Sequence, residues 1–358
     1  MSLERRIKVI DSLRGLAALI VVEHHLFSLN AQEIKACTSP FFYNFLLWLS
    51  EKNVEAVLFF FIVSGFSIGL SLRKNPIIDK KSINEYLYRR AKRILPIYWS
   101  AIIISLLTLL ILPSIYNSSF SFYNLLGNLF FLQTPAITNA WFIPYGNNGP
   151  LWSLSYEFYY YLLAIPVIIY QKKIRLSPQS ITLFLVSLSL LMILINHKIA
   201  NPFSAFLILF PIWHIGYALS QFYINRDLNK PYFITLTCTY ASLGVINFLY
   251  LNSTSLDVLN LGISISLICT FIFSLYQIQP LKGFFNFTIN TFNKIFYKIG
   301  LASFSIYVSH YIVLHLLKQH NSPISIQILT LFFLIVVCYY FEMWIIKKPF
   351  SFFKRKYV

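Results

Sequence analysis

Long apolar runs, broken by short polar and basic loops, recur along the chain from Leu13 to Ile346. A run of roughly 17–25 apolar residues is what carries an α-helix across hydrocarbon. The pattern predicts spans over residues 13–29, 54–72, 95–113, 153–170, 180–196, 203–220, 232–251, 257–276, 300–317 and 325–346. The expected fold is all-α, a polytopic transmembrane helix bundle of about ten spans. It occupies residues 1–358 as one integral-membrane domain, because no stretch of soluble-domain size and no internal repeat or low-complexity linker separates the runs. A further apolar patch, "FYNLLGNLFFL" from Phe122 to Leu132, is too short to cross comfortably and is expected to be re-entrant or interfacial.

Composition agrees with a membrane protein: 57% of residues are hydrophobic and 11% charged, where a soluble domain carries about a quarter charged residues. The net charge of +17 raises nucleic acid as a partner, but the cations cluster in short loops and read instead as topology markers. With the N-terminus inside, only Lys35, Lys52, Lys198 and Lys318 of the 29 Lys and Arg fall on the outer side. Both termini are therefore expected to be cytoplasmic. The basic N-terminus precedes an apolar stretch that runs into "EHH" with no small-residue cleavage site, the pattern of a retained first helix. Cys37, Cys238, Cys269 and Cys338 lack paired spacing, so neither a metal site nor a disulfide framework is expected.

Ionisable groups inside hydrocarbon cost several kcal/mol and ask for a reason. In the first span, Arg14 and His25 are almost three whole helical turns apart, on one face and about 16 Å apart along the axis. Asp11 lies one turn before Arg14 and can pair with it, whereas His24 points about 100° away. Arg14 then sits at the inner boundary and His25 in the outer half of the membrane. Either Arg14 snorkels and His25 bonds a neighbouring helix, or the pair is functional, with a neutral imidazole equipped to act as a general base.

From Ile94 to Tyr156 there is no Asp, Glu, Lys, Arg or His; then "GPLWSLSYEFYYYLLAIP" places Glu157 several residues inside the fourth span. By topology it is expected in the outer layer with His25, where a carboxylate would orient the ring and stabilise an imidazolium. The plainer alternative is a Glu favoured by a helix N-terminus. Trp152, with the tyrosines that follow, suits an interfacial aromatic belt or a binding platform. Arg90 and Arg93 stand three residues apart just before "ILPIYW" enters the membrane. They either anchor the helix or offer planar forks to a phosphorylated cytoplasmic ligand.

These pieces together resemble the integral-membrane acyltransferase family commonly called acyltransferase three. The matching stretches, in the family's order, begin with "LRGLAALIVVEHH", carrying Arg14 and His25, and "FFFIVSGFSI" around Ser64 and Gly65. "RAKRILPIYW" follows with Arg90, Arg93, Pro96 and Tyr98, then "PLWSLSYEFYYYLLAIP" with Trp152, Ser153 and Glu157, and "SFSIYVSHYIV" around Tyr307 and His310. The resemblance implies a bacterial surface-glycan O-acylating enzyme of the cytoplasmic (inner) membrane. Its donor would be an acyl-CoA, normally acetyl-CoA, supplied from the cytoplasm, and its acceptor a hydroxyl on the outer side, as in lipopolysaccharide O-antigen or an exopolysaccharide. It further implies that Arg14 and His25 are essential and that the arginine pair helps hold the donor. Two departures stand out. Many relatives end in an acidic residue followed by a basic one and "PF", but here the ending is "IIKKPF", with Glu342 the nearest acid, five residues before Lys347. The extra extracytoplasmic hydrolase-like domain of some members is also not expected.

The expected mechanism has His25 removing the proton of a sugar hydroxyl with Glu157 supporting the ring, by direct transfer or through an acyl-histidine. Ser64, Ser153 and Tyr98 are candidates for the oxyanion stabiliser, and His310 is a secondary candidate that either lines the cavity or makes a structural hydrogen bond. The rival readings are a polysaccharide or lipid-linked sugar transporter or flippase, which would show inverted halves with interrupted helices, and a glycan polymerase, which explains inner phosphate-binding arginines poorly.

Overall fold

The computed structural model describes residues 3–113, 118–135, 141–225, 230–248, 254–277 and 282–347. The final "KPF" of the sequence ending lies outside them. Thirteen α-helices follow one another: α1 (Leu3–Cys37), α2 (Pro40–Ser50), α3 (Asn53–Lys74), α4 (Lys80–Ile111), α5 (Phe122–Leu129), α6 (Trp152–Ile174), α7 (Pro178–Lys198), α8 (Pro202–Asn225), α9 (Lys230–Ile246), α10 (Thr254–Gln277), α11 (Lys282–Leu301), α12 (Ser303–Gln319) and α13 (Ile324–Lys347). Among the described residues the only β-pairing is an isolated bridge between Gln133 and Phe142.

Local signals set the helix starts. Ser39 accepts from Phe42 N at the head of α2, with Pro40 opening the helix, and Ser177 with Pro178 repeats the device at α7. Asp79 and Ser82 form a capping box at α4. There the Ser82 backbone N–H holds the exposed Asp79 carboxyl below the usual carboxylate range.

The expected spans fall on helices where the residues are described. Among the described residues, however, seven helical segments are long and apolar enough to cross a membrane, or eight if the bent α11–α12 pair counts as one span, against the ten expected. Helix α6 is not among them, and Pro231–Ile246 is a shorter apolar helix. Three spans also differ from the expectation in their course. The first helix runs on to Cys37 with a kink at Asn30 (φ −129°). There Asn30 Nδ2 turns to Leu26 O and to Gln327 Oε1, at 2.9 and 2.8 Å. Helix α2 leads directly into α3, so that Pro40–Lys74 is a run of 35 residues. The span expected at 300–317 breaks at Ala302, where α11 and α12 meet at 65°. That is the single bent pair of its kind among the described residues, so the paired interruptions a transporter of inverted halves would show are not seen there.

Helix α3 packs along α8 and α1 along α11, with α12, α2 and α3 also against α1. The first two crossings are backbone to backbone. A Cβ on Gly216 would run into the Ile62 carbonyl, and one on Gly15 would lie 2.7 Å from Gly300 N. Small residues that admit such approach are the means by which helices associate where lipid is as apolar as the side chains. Trp213, Tyr86, Tyr98, Tyr145 and Tyr160 are fully buried between the helices.

The Phe122–Leu132 patch forms the eight-residue α5, too short to span. Its Phe122, Tyr123, Leu126 and Leu129 are exposed while Asn124 and Asn128 are buried. The buried amides satisfy the loop that follows: Asn128 Nδ2 donates to Ile143 O at 2.9 Å, Asn128 Oδ1 accepts from Tyr145 N at 3.0 Å, and Asn124 Oδ1 accepts from Ile143 N at 3.1 Å. The loop dips into the bundle, for Asn148 is fully buried and its Nδ2 donates to Val308 O, in the second turn of α12, at 2.8 Å.

Candidate functional site

A narrow cavity of about 30 Å³ lies where α1, α3, α6 and α12 meet. That is room for one or two water molecules, so an acyl group would have to widen it. Arg14, Ser64, Ser153, Glu157, Ser303 and Tyr307 form its polar lining, and Phe60, Phe61, Leu154 and Phe304 its apolar walls. The break at Ala302 is what brings the first turn of α12 to this wall, and the Gly15–Gly300 approach holds Arg14 beside it.

Glu157 organises the α3–α6 side. Its Oε1 accepts from Ser64 Oγ at 3.1 Å and from the Tyr161 hydroxyl, while Trp213 Nε1 donates to Ser64 Oγ at 3.3 Å. Arg14 is 9% exposed and makes no hydrogen bond to a described residue, so its guanidinium donors face the cavity. Glu157 and Asp11 act on it electrostatically from beyond direct ion-pair contact. Arg93 shares this field, with Tyr161, Glu157, Glu342 and Asp11 around it. Two arginines and three carboxylates thus face one another where α1, α4, α6 and α13 converge.

In the sequence Glu342 stands out only as the acid nearest to the terminal basic pair. It is buried, and its Oε2 accepts from Ser305 N at 3.1 Å, so it satisfies one of the backbone donors that the start of α12 leaves open. An acid inside an apolar span is the signal that points to it.

Arg90 is apart from Arg93. Its guanidinium lies 5.7 Å from the ring centres of both Tyr86 and Tyr161, and Nη2 donates to Ser71 Oγ at 3.3 Å. The expected pair of phosphate forks is therefore split, one arm stacked on tyrosines and the other among carboxylates.

His25 has different neighbours. Its ring centre is 5.2 Å from that of His310, 4.7 Å from Tyr311 and 4.9 Å from His24, and neither ring nitrogen is hydrogen-bonded to a described residue. His24 does point elsewhere, its Nδ1 3.0 Å from Ser50 O, Ser50 Oγ and Asn53 Nδ2. The expected support of the His25 ring by Glu157 is not what the structure builds: Glu157 sits with Arg14, and an imidazole, His310, sits with His25. The two groups connect through Tyr307, which lines the cavity, lies 2.8 Å from Ser153 Oγ through its hydroxyl, and has its ring 6.1 Å from that of His310.

Of the other candidates, Ser64 and Ser153 line the cavity and Trp152 packs one layer behind it, edge-on to Phe61 at 6.4 Å. Tyr98 is not at the cavity. It is fully buried, stacked on Phe131 at 4.1 Å, and its hydroxyl donates to Asn128 O at 2.8 Å. That engagement makes it a clamp on the α5 loop and removes it as an oxyanion stabiliser.

A sequence profile described as an acyltransferase domain matches residues 7–347. A protein of Shigella phage Sf6 named O-acetyl transferase is 28% identical over 162 residues, a stretch that covers 43% of this chain and 43% of that protein. The match therefore spans less than half the length of that relative. No solved structure matches.

Proposed function

The chain belongs to the acyltransferase family whose profile covers residues 7–347, and from that premise we propose that it is a cytoplasmic-membrane O-acetyltransferase. The proposed donor is acetyl-CoA from the cytoplasm, and the proposed acceptor is a hydroxyl of a surface polysaccharide or its lipid-linked precursor on the outer side. Both the family and the name of the phage relative support O-acyl transfer.

The observation that carries it is the His25 imidazole, half-buried in an apolar bundle with neither ring nitrogen tied to a described residue. A neutral imidazole so placed keeps a lone pair for a substrate proton. In the proposed reaction His25 takes the proton of the acceptor hydroxyl as its oxygen bonds to the thioester carbonyl carbon. The carbon–sulfur bond then breaks, and His25 returns the proton to the departing thiolate, so that alcohol and thioester become ester and thiol. Direct attack needs no acyl-histidine and accounts for the half-buried ring as it stands.

Arg14, Arg90 and Arg93 are assigned to the donor. Arg14 suits the part best, because its donors face the cavity with no hydrogen bond to a described residue, as a site for oxygen-rich groups requires. Glu157 is assigned to hold the Ser64 and Tyr161 hydroxyls and to balance the Arg14 charge, and Ser64 and Ser153 stay the candidates for donating to a developing oxyanion.

Mass spectrometry of surface glycans from cells with and without the protein tests the assignment. The added mass of acetyl groups that depends on the protein is expected; glycans of identical mass would remove this function.

A further inference from the structure

His310 is fully buried in α12, yet one of its two ring nitrogens has no partner among the described residues. Its Nδ1 lies 3.0 Å from the carbonyl of Ile306, one turn back along the helix. A carbonyl oxygen only accepts, so Nδ1 carries the hydrogen, and in a neutral imidazole Nε2 is then a bare lone pair. That Nε2 is buried and accepts from no described residue. An orphaned acceptor in a bundle interior is unfavourable and asks for a donor.

The ring beside it is that of His25, whose centre is 5.2 Å away with the planes tilted by 36°. At that spacing the two rings are neighbours, close enough for a small rotation of the rings to set nitrogen against nitrogen, while no hydrogen bond joins them in the structure. Neither His25 ring nitrogen is hydrogen-bonded to a described residue, so each imidazole supplies what the other lacks. No described residue donates to His310 Nε2. Ser309 Oγ donates back to Ser305 O at 2.7 Å, and the Tyr307 hydroxyl, 2.8 Å from the donating Ser153 Oγ, is turned to the cavity side.

We propose that His310 is a positioning residue for His25: its Nε2 accepts the N–H of His25, fixing one tautomer and leaving the other His25 nitrogen as the bare base that meets the acceptor hydroxyl. The proposal deepens the acyltransferase reading and rests on it for the identity of the reaction. A neutral acceptor here does what a carboxylate does in a Ser–His–Asp triad, holding tautomer and ring orientation, without placing a further charge in hydrocarbon. When His25 takes up the acceptor's proton it becomes an imidazolium that still donates to His310. When it passes that proton to the leaving thiolate the pair returns to its starting state, so His310 neither gains nor loses a proton over the cycle. Such hydrogen bonds commonly tighten only in the reacting complex, which fits two rings that lie beside each other without a hydrogen bond in the structure.

The test compares His310→Gln with His310→Asn in the full-length, detergent-purified protein. The longer Gln reaches with its carbonyl to where Nε2 stood, whereas the shorter Asn stops at the Ile306 side. Loss of an orienting partner of a functional imidazole typically costs about 10–100-fold in activity. His310→Asn is therefore expected to lower kcat by that factor with KM unchanged, and His310→Gln to recover most of it. Equal kcat in the two variants, or wild-type kcat in His310→Asn, overturns the proposal.

A second readout does not depend on transfer. In wild-type protein carrying 15N-histidine, with the His25 signals assigned by their absence from His25→Gln, the His25 ring is expected as a single tautomer and the His310 ring as the Nδ1–H form. An even mixture at His25, or the Nε2–H form at His310, overturns the pairing whether or not the variants fold. If wild-type protein shows both expected forms but transfers no acyl group, the assigned reaction fails while the imidazole pair stands.

Discussion

Replacing Glu157 separates the architecture of the cavity from its charge. Its Oε1 is the shared acceptor of the Ser64 and Tyr161 hydroxyls, and hydrogen bonds to a charged group contribute about 1.5–3 kcal/mol each. In Glu157→Ala both donors lose that acceptor. Ser64 Oγ and the Tyr161 hydroxyl are already 3.4 Å apart, so one can donate to the other, leaving a single buried donor unpaired at about 1–3 kcal/mol. Arg14 and Arg93 keep Asp11 and Glu342 in their field, so the loss stays below the roughly 3–5 kcal/mol that follows when a buried charge loses its partner. About 2–3 kcal/mol is the expected total. Glu157→Gln keeps a carbonyl oxygen for both hydroxyls and should cost about 1 kcal/mol or less. Thermal unfolding of the purified proteins in one detergent checks this, with the order wild type, then Gln, then Ala. An Ala variant as stable as wild type, or a Gln variant no better than Ala, refutes the account of Glu157 as a hydroxyl acceptor.

Two further substitutions probe the frame around the site. Gly216→Ala puts a methyl group against the Ile62 carbonyl in the α3–α8 crossing and should destabilise the protein by about 1–3 kcal/mol through overpacking; an unchanged unfolding temperature would mean the two backbones are not in contact. Tyr98→Phe loses the bond to Asn128 O, about 1 kcal/mol, and should leave transfer per folded molecule at the wild-type level, whereas a large fall in transfer would return Tyr98 to the site.

The face shared by Asp11, Arg14 and His25 was legible because a helix repeats every 3.6 residues whatever surrounds it. The same holds for the existence of the helices, which follows from the length of the apolar runs. Depth was not legible in the same way. Counting from the start of its span predicts Glu157 at the level of His25, but α6 begins on a loop that is itself inside the bundle, tied by Asn148 to the second turn of α12. The helix start therefore lies below the surface and carries Glu157 down to Arg14. The break at Ala302 is not marked by proline, the nearby Gly300 serves the α1–α11 crossing, and the tertiary contact beside it, Glu342 on Ser305 N, joins residues 37 apart in the chain. His310 was visible as an intramembrane histidine, but its partner on α1 lies across a helix interface that no periodicity reports.

The central claim is that His25 is the base of an acyl transfer drawing on an inner-side thioester. The measurement that tests it most directly is transfer of labelled acetyl groups from acetyl-CoA to a hydroxyl acceptor by purified protein in lipid vesicles. Wild type is compared with His25→Ala at equal amounts of folded, inserted protein. Label should appear on the acceptor with wild type and be absent with His25→Ala; transfer by the variant at the wild-type rate would contradict the account.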